Sequence, residues 1–240
     1  MRIVLTNDDG VLAPGLEALE AAAAPLGEVI VVAPEEQHSG CGHQLTTDVP
    51  LVVTQLEERR FSVAGTPADC SRIALFDLVP DASLVLSGIN AGANLGADVF
   101  TSGTVAAARE AVLQGVPAIA LSLYLERGMG LDWQRTTEWA RRVLERLLEE
   151  LPSAPVDGKR PPLWNVNLPW LAAGAVDHPE LVFCALDPSP LPLLYRLDPA
   201  APDRRREFVY AGEYRLRRRA DGGDIATCMS GKVAITELGV

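Results

Sequence analysis

MRIVLTNDDG, residues 1–10, sets the interpretation of the whole chain. Residues 1–6 are apolar and β-branched with little polar alternation, which predicts a strand buried on both faces of a parallel sheet. The strand ends at Asn7, Asp8, Asp9 and Gly10, which are turn-forming residue types. Ligands bind at the carboxyl ends of such strands, so the two carboxylates are candidates for holding one hard cation. An aspartate that only caps the following helix is the alternative.

The pattern of the next segments predicts alternating strands and helices. The predicted strands are residues 1–6, 28–33, 83–87, 117–123 and 163–168, and the predicted helices are residues 15–27, 66–79, 105–114 and 132–151. Strands that alternate with helices form βαβ units, which predicts an α/β protein with a mostly parallel sheet. From residue 187 the chain is rich in proline and then alternates polar with apolar residues. We therefore expect a core over residues 1–186 and a β-rich C-terminal extension over 187–240 that is used in oligomerisation.

Composition limits the possible functions. The chain has 240 residues, is 48% hydrophobic and carries a formal net charge of −11, which argues against binding a nucleic-acid polymer through its backbone. No apolar run reaches the roughly 18 residues of a membrane span, and the N-terminus lacks a signal peptide, so we expect a cytoplasmic protein with no membrane partner. The four cysteines form no CxxC pair, so we expect no structural zinc site.

Polar side chains follow three of the predicted strands. The common phosphate-binding motifs are missing, because no GxGxxG follows the first strand and no GxxxxGK[ST] occurs anywhere. The three loops instead carry Asp8 and Asp9, Ser39, and Asn90. If the strands are parallel, these loops emerge at one edge of the sheet. Carboxylate, hydroxyl and amide oxygens suit Mg²⁺, Mn²⁺ or Ca²⁺ better than a soft metal.

The third loop ends in Ser102, Gly103 and Thr104, directly before the helix predicted over residues 105–114. Free main-chain N–H groups at a helix start, together with two hydroxyls, form an anion site. An ordinary Ser/Thr helix cap is the simpler explanation for these residues alone, and Asn90 and Asn94 alone would be turn residues. We favour an anion site because two acids are predicted at the same sheet edge.

Several sequence blocks resemble the SurE family of stationary-phase survival proteins and 5′-nucleotidases. The blocks are MRIVLTNDDG (1–10), APG (13–15), VVAP (31–34), SG (39–40), LT (45–46), GTPADC (65–70), SGINAGANLG (87–96), SGTVAAAREA (102–111), NVNLP (165–169) and KVAITEL (232–238). They cover the first half of the chain densely and the second half thinly.

The resemblance implies a Rossmann-like three-layer α/β/α sandwich and a divalent-metal-dependent phosphomonoesterase. Such an enzyme, an acid phosphatase, hydrolyses nucleoside 5′-monophosphates, and 3′-monophosphates as well, and assembles as a homodimer or homotetramer. One metal ion per subunit is implied, either Mg²⁺ or Mn²⁺, with Ca²⁺ accepted in crystals. The family's metal ligands match Asp8, Asp9, Ser39 and Asn90, and its phosphate contacts match Asn94, Ser102, Gly103 and Thr104. We expect Asp8 and Asp9 to be the catalytic groups as well.

Other readings remain open at this point. Asp8 either activates a water molecule or attacks phosphorus directly, and we favour the water.

A receiver domain also binds Mg²⁺ at an acidic pair, but it needs a third aspartate at a later strand end and a lysine on its last core strand. Here the later strand ends in Ser-Gly-Ile-Asn, and the chain has only Lys159 and Lys232. A passive nucleotide-binding protein would bind the same ligand without releasing phosphate.

Overall fold

A nine-stranded, mostly parallel sheet forms the centre of the molecule. The computed structural model describes residues 1–125, 128, 130–151, 158–172, 174–197 and 206–239, without the side chain of Arg215. The strands are β1 Arg2–Thr6, β2 Glu28–Pro34, β3 Val53–Glu57, β4 Arg60–Val63, β5 Leu84–Asn90, β6 Ala118–Leu123, β7 Leu163–Leu168, β8 Leu181–Phe183, β9 Tyr195–Leu197, β10 Phe208–Tyr210 and β11 Val233–Glu237. The order in the sheet is β3-β4-β2-β1-β5-β6-β7-β11-β8, and β9 and β10 form a separate antiparallel pair.

Helices cover both faces of the sheet. They are α1 Pro14–Ala23, α2 Pro67–Ile73, α3 Gly103–Leu113, α4 Trp133–Leu148 and α5 Asp224–Met229. One apolar core lies between the sheet and helices α1 and α4, and a second lies between the sheet and helices α2 and α3. The prediction of a three-layer α/β/α sandwich is therefore confirmed. None of the described helices combines the length and apolar character needed to span a membrane.

The predicted strands and helices match the structure apart from their ends. Strand β1 pairs in parallel with β2 on one side and with β5 on the other, so the loops after these strands leave the same edge of the sheet. Thr66 caps α2 in a capping box with Asp69, as the Thr-Pro-Ala-Asp sequence predicts. Strand β5 continues to Asn90, beyond the predicted residue 87, and helix α3 begins at Gly103 instead of residue 105.

The C-terminal part of the chain contributes to the main sheet. Strand β11 lies between β7 and β8, antiparallel to the first and parallel to the second. The last strand thus packs in the core sheet, because Val233, Ala234 and Ile235 are all fully buried there. The division of the chain at residue 187 stays a prediction, and residues 198–205 of the predicted extension lie outside the described residues.

Candidate active site

The acidic pair lies in a tight turn at the carboxyl end of β1. The Asn7 side chain donates to the Gly10 carbonyl oxygen at 2.9 Å and accepts from the Gly10 amide at 3.1 Å, so it closes the turn on itself. Gly10 has φ of +105°, a conformation that side chains with a Cβ rarely adopt. The His38 amide donates to the Asp8 carbonyl oxygen at 2.8 Å and attaches the loop after β2 to this turn.

Asp8 lies against the first turn of α3. Its carboxylate accepts a hydrogen bond from the Thr104 hydroxyl, and Asp8 is only 5% exposed. A Cβ added at Gly103 would lie 2.9 Å from the Asp8 Cβ and 3.2 Å from its Oδ2 atom. The lack of a side chain at Gly103 therefore permits the helix start to approach the carboxylate closely. The structure thus brings Asp8, Gly103 and Thr104 together, as the sequence predicts.

The environment of Asp8 makes it a weaker acid than an exposed aspartate. Burial raises its pKa to about 6, and the negative charge of Asp9 adds to this rise. The hydrogen bond from the Thr104 hydroxyl and the Thr104 main-chain amide oppose the rise, because they stabilise the charged form. A carboxyl with such a pKa can accept and release a proton near neutral pH.

In metal-free buffer we expect Asp8→Asn to stabilise the fold at neutral pH by about 3 kcal/mol. The folded protein holds the Asp8 proton more tightly than the unfolded chain, whose pKa is near 3.8. The parent therefore loses stability as the pH rises from 3.8 to about 6, and the loss stays constant at higher pH. Urea unfolding with a chelator at several pH values measures the difference. A difference that does not shrink at low pH would contradict the proposed cause.

Asp9 lies beside Ser39 and the end of β5. The Gln37 amide nitrogen donates to the Asp9 Oδ1 atom and to the Ser39 hydroxyl oxygen, both at 2.9 Å. The Ala91 amide lies 3.5 Å from the other Asp9 oxygen. The Asp9 carboxylate and the Ser39 hydroxyl thus both contact the Gln37 amide nitrogen. Gln37 was not predicted as a site residue, and its only sequence signal is its position two residues before Ser39.

Asn90 and Asn94 follow β5 in the same region. The Asn90 side chain donates to the Gly92 carbonyl oxygen at 2.6 Å, which orients its amide and leaves its oxygen available. Asn94 is 7% exposed, and its side chain donates to the Ser122 hydroxyl at 2.8 Å. One Asn94 amide hydrogen remains for an anion. Both residues lie where the sequence predicts, and their roles as ligands stay predictions.

The main chain of Asn94 is held by two asparagines of β7. The Asn167 side chain accepts from the Asn94 amide at 2.8 Å and donates to its carbonyl at 3.0 Å. Asn165 donates to the same carbonyl at 2.8 Å, and both β7 side chains are fully buried. Asn165 and Asn167 were not predicted as residues that support the site. The available signal is the alternation in LWNVNL, which places two amides on one face of a buried strand.

Ser102 and Thr104 use their hydroxyls differently. The Ser102 oxygen accepts from the Val105 amide at 3.1 Å and caps α3, so its hydrogen is available to an anion. The Thr104 hydroxyl donates to Asp8 instead, which leaves it unavailable as a donor to phosphate. Ser102 is therefore a helix cap, and its hydroxyl hydrogen is still free to bind an anion.

The buried carboxylate of Glu110 attaches the loop after β2 to helix α3. Glu110 is 2% exposed and contacts the His43 ring at 2.9 Å, the Arg72 guanidinium at 3.0 Å and the Gln114 amide at 2.8 Å. The Gly42 amide also donates to the Thr101 carbonyl at 3.0 Å. The loop after β2 and the start of α3 thus form one connected structure around Asp8.

The four proposed metal ligands include only two carboxylates. In the part of the chain that the structure describes, no group of three or more His, Cys, Asp or Glu side chains could hold a metal ion. Neutral oxygens of Ser39 and Asn90 would have to supply the remaining protein ligands. Carboxylate, hydroxyl and amide oxygens are the donors that Mg²⁺ and Mn²⁺ prefer, so these residues fit such an ion.

The fold and this site define a class of protein. The carboxyl edge of a parallel sheet beside a helix N-terminus is where α/β proteins bind phosphate groups. More specifically, the chain belongs to the SurE family, because the family model described as "Survival protein SurE" matches residues 3–186.

Individual relatives resemble the whole chain. A protein of Nostoc sp. is 46% identical over 240 residues, which are 100% of both chains. The "5'-nucleotidase SurE" of Paramagnetospirillum magneticum is 40% identical over 244 residues, covering 99% of this chain and 89% of that protein. The crystal structure of the SurE protein from Aquifex aeolicus has a TM-score of 0.81 at 29% identity and covers 99% of this chain and 93% of that one.

Proposed function

We propose that this chain is a divalent-metal-dependent 5′-nucleotidase that hydrolyses nucleoside 5′-monophosphates, and 3′-monophosphates as well, to a nucleoside and phosphate. Relatives named 5′-nucleotidase SurE support the hydrolase class. The observation that carries the proposal is the contact of the Asp8 carboxylate with the N-terminal turn of α3 at Gly103 and Thr104. It places an acid beside main-chain donors that suit a phosphate group.

The proposed metal ligands are Asp8, Asp9, Ser39 and Asn90, with one Mg²⁺ or Mn²⁺ ion per subunit. The convergence of Asp9 and Ser39 on the Gln37 amide supports this, because the same two oxygens would be available to a cation once Gln37 moves. A bound divalent ion would offset the charge that develops on the phosphoryl oxygens. Ca²⁺ suits the same oxygens and would be accepted in crystals.

The chain's own groups bind and orient the phosphate. The main-chain N–H group of Gly103, the Ser102 hydroxyl and the Asn94 amide would hold the non-reacting oxygens. Asp8 either takes a proton from the attacking water or attacks phosphorus itself. We favour proton transfer to the Asp8 carboxylate as the role of this residue. Asp9 is the second proposed catalytic group, and its charge raises the pKa of Asp8.

We expect phosphate release from nucleoside monophosphates in Mg²⁺ or Mn²⁺ and none above background with a chelator. The experiment is a panel of 5′- and 3′-nucleotides against Mg²⁺, Mn²⁺, Ca²⁺ and a chelator, with released phosphate as the readout. Undiminished turnover in the chelator would contradict metal dependence. A stable aspartyl phosphate without turnover would favour a receiver domain, and nucleotide binding without phosphate release would favour a passive binding protein.

The assembly proposal is a homodimer or homotetramer that uses the region after residue 187. The pair of β9 and β10 supports it, because its apolar side chains are about half exposed, with Leu197 at 55% and Phe208 at 60%. Light scattering after gel filtration measures the mass. A monomer at micromolar concentration would contradict this proposal without affecting the nucleotidase proposal. The cytoplasmic location stays a prediction.

A further inference from the structure

The segment that joins Asn94 to helix α3 is held by the C-terminal part of the chain. Arg217 has a side chain only 1% exposed, and its Nη1 atom lies 2.6 Å from the Asp98 carboxylate. Its Nη2 atom donates to the Leu95 carbonyl at 3.3 Å. The Tyr214 hydroxyl donates to the same Asp98 oxygen at 2.8 Å, and the Arg217 guanidinium lies 4.8 Å from the centre of the Tyr214 ring.

A second contact from the C-terminal part holds the same segment. Asp224 is fully buried and accepts a hydrogen bond from the Gly96 amide at 2.8 Å. Its other oxygen accepts from the Asp187 amide at 2.9 Å. Gly96 has φ of +54°, and a Cβ there would lie 3.1 Å from the Asp187 carbonyl oxygen. The segment and the C-terminal part are therefore closely packed as well as hydrogen-bonded.

Asp98 connects these contacts to the phosphate site. Its carboxylate binds Arg217, and its main-chain carbonyl accepts from the Thr101 amide at 3.1 Å and the Ser102 amide at 3.0 Å. Ser102 then caps α3, directly before Gly103 and the contact with Asp8. A displacement of Asp98 would therefore move Ser102 and the start of the helix.

Stability alone does not account for the Arg217 contact. A buried ion pair is often no more stabilising than well-packed apolar residues of the same volume, because both charges lose their hydration. Among the described residues, the Arg217 Nε atom is buried with no hydrogen-bond partner, which adds a further cost. What the guanidinium supplies is a fixed geometry, because its planar donors bind a carboxylate and a carbonyl at the same time.

We propose that Arg217 is a positioning residue for the phosphate site. By holding Asp98 and Leu95, it fixes the turn at Ser102–Thr104, so the chain after residue 187 completes a site whose proposed ligands all lie before it. This inference rests on the proposed nucleotidase function. It assigns Arg217 no contact with substrate.

The test compares Arg217→Met with Arg135→Met. Arg135 is the matched control, because its guanidinium donates to the carbonyls of Leu171, Ala172 and Val176 and lies over Trp139, in a part of the fold that the mechanism does not use. The measurements are KM and kcat for a nucleotide, inhibition by inorganic phosphate, and hydrogen exchange of the peptide covering residues 95–104 with and without inorganic phosphate.

For Arg217→Met we expect KM and the phosphate inhibition constant to rise about tenfold, since small displacements of binding groups are costly. Exchange over residues 95–104 should be faster, and phosphate should no longer slow it. Arg217→Lys should restore part of the affinity, because an ammonium still pairs with Asp98. Arg135→Met should remain within twofold of the parent in KM. A folded Arg217→Met with parental KM and phosphate inhibition would overturn the proposal.

Two further variants cover the case in which Arg217→Met does not fold. Tyr214→Phe and Asp98→Asn weaken contacts at the same carboxylate, and parental phosphate affinity in both would also overturn the proposal. The exchange measurements use inorganic phosphate as the probe and do not need turnover. If the parent releases no phosphate from any nucleotide, the nucleotidase proposal fails, and the exchange data alone decide whether Arg217 positions an anion site.

Discussion

Asp8→Asn is expected to lower metal-dependent phosphate release by about 10³-fold or more. The substitution keeps the shape of the side chain and can still accept the Thr104 hydrogen bond, but it removes the charge. An asparagine cannot take a proton from water, attack phosphorus as a carboxylate or bind a divalent cation with a full negative charge. Initial rates of nucleotide hydrolysis in Mn²⁺ measure the effect.

The matched control for this change is Asp81→Asn. Asp81 is an exposed carboxylate that pairs with Arg2 just before β5, away from the carboxyl edge of the sheet, so its removal should leave the rate within twofold. Because Asp8→Asn is expected to stabilise the metal-free fold, a loss of activity would not be attributable to unfolding. Near-parental activity of Asp8→Asn in Mn²⁺ would contradict the assignment of Asp8 as ligand and catalytic group.

Gly103→Ala is expected to lower kcat/KM by about 10²-fold, since a displacement approaching 1 Å at a binding group has effects of this size. The new methyl group would lie 2.9 Å from the Asp8 Cβ and 3.0 Å from the Cys41 sulfur, which is closer than side-chain carbons approach. The start of α3 and Asp8 must then separate. Phosphate donors and the acidic group would no longer face each other at their original spacing.

The sign of the stability change gives an independent check on Gly103→Ala. Where there is room for the methyl group, replacing a helical glycine by alanine stabilises the fold by about 0.5–1 kcal/mol. Unchanged or reduced stability of Gly103→Ala would therefore indicate the steric clash. Gly130→Ala is the control, because a Cβ there meets no atom of the described residues within 4 Å, and its activity should equal that of the parent. A Gly103→Ala protein that is both more stable and fully active would show that the close approach to Asp8 has no functional role.

Local sequence patterns predicted the fold because they reflect local physics. Buried parallel strands need continuous apolar residues, and the run before Asn7 shows this directly. The order of strands and helices then restricts the connections to right-handed crossovers, which bring the ends of β1, β2 and β5 to one edge. The positions of Asp8 and Asp9 followed from that topology alone.

The start of α3 was predicted two residues late, because glycine and threonine are weak helix formers and only the Ser102 cap reveals the start.

Contacts between distant segments were not predictable from local patterns. The support of Asn94 by Asn165 and Asn167 joins residues about seventy positions apart. No local pattern specifies which buried amide meets which carbonyl.

By itself, the sequence determined the α/β class, the mostly parallel sheet and the placement of the acidic pair at its carboxyl edge, because periodicity and turn chemistry are local properties. Only the tertiary structure decided that Thr104 binds Asp8, that β11 inserts between β7 and β8, and that Arg217 holds Asp98. These contacts join residues 96 to 119 positions apart, or depend on the register of non-consecutive strands. Their geometry exists only after the chain has packed.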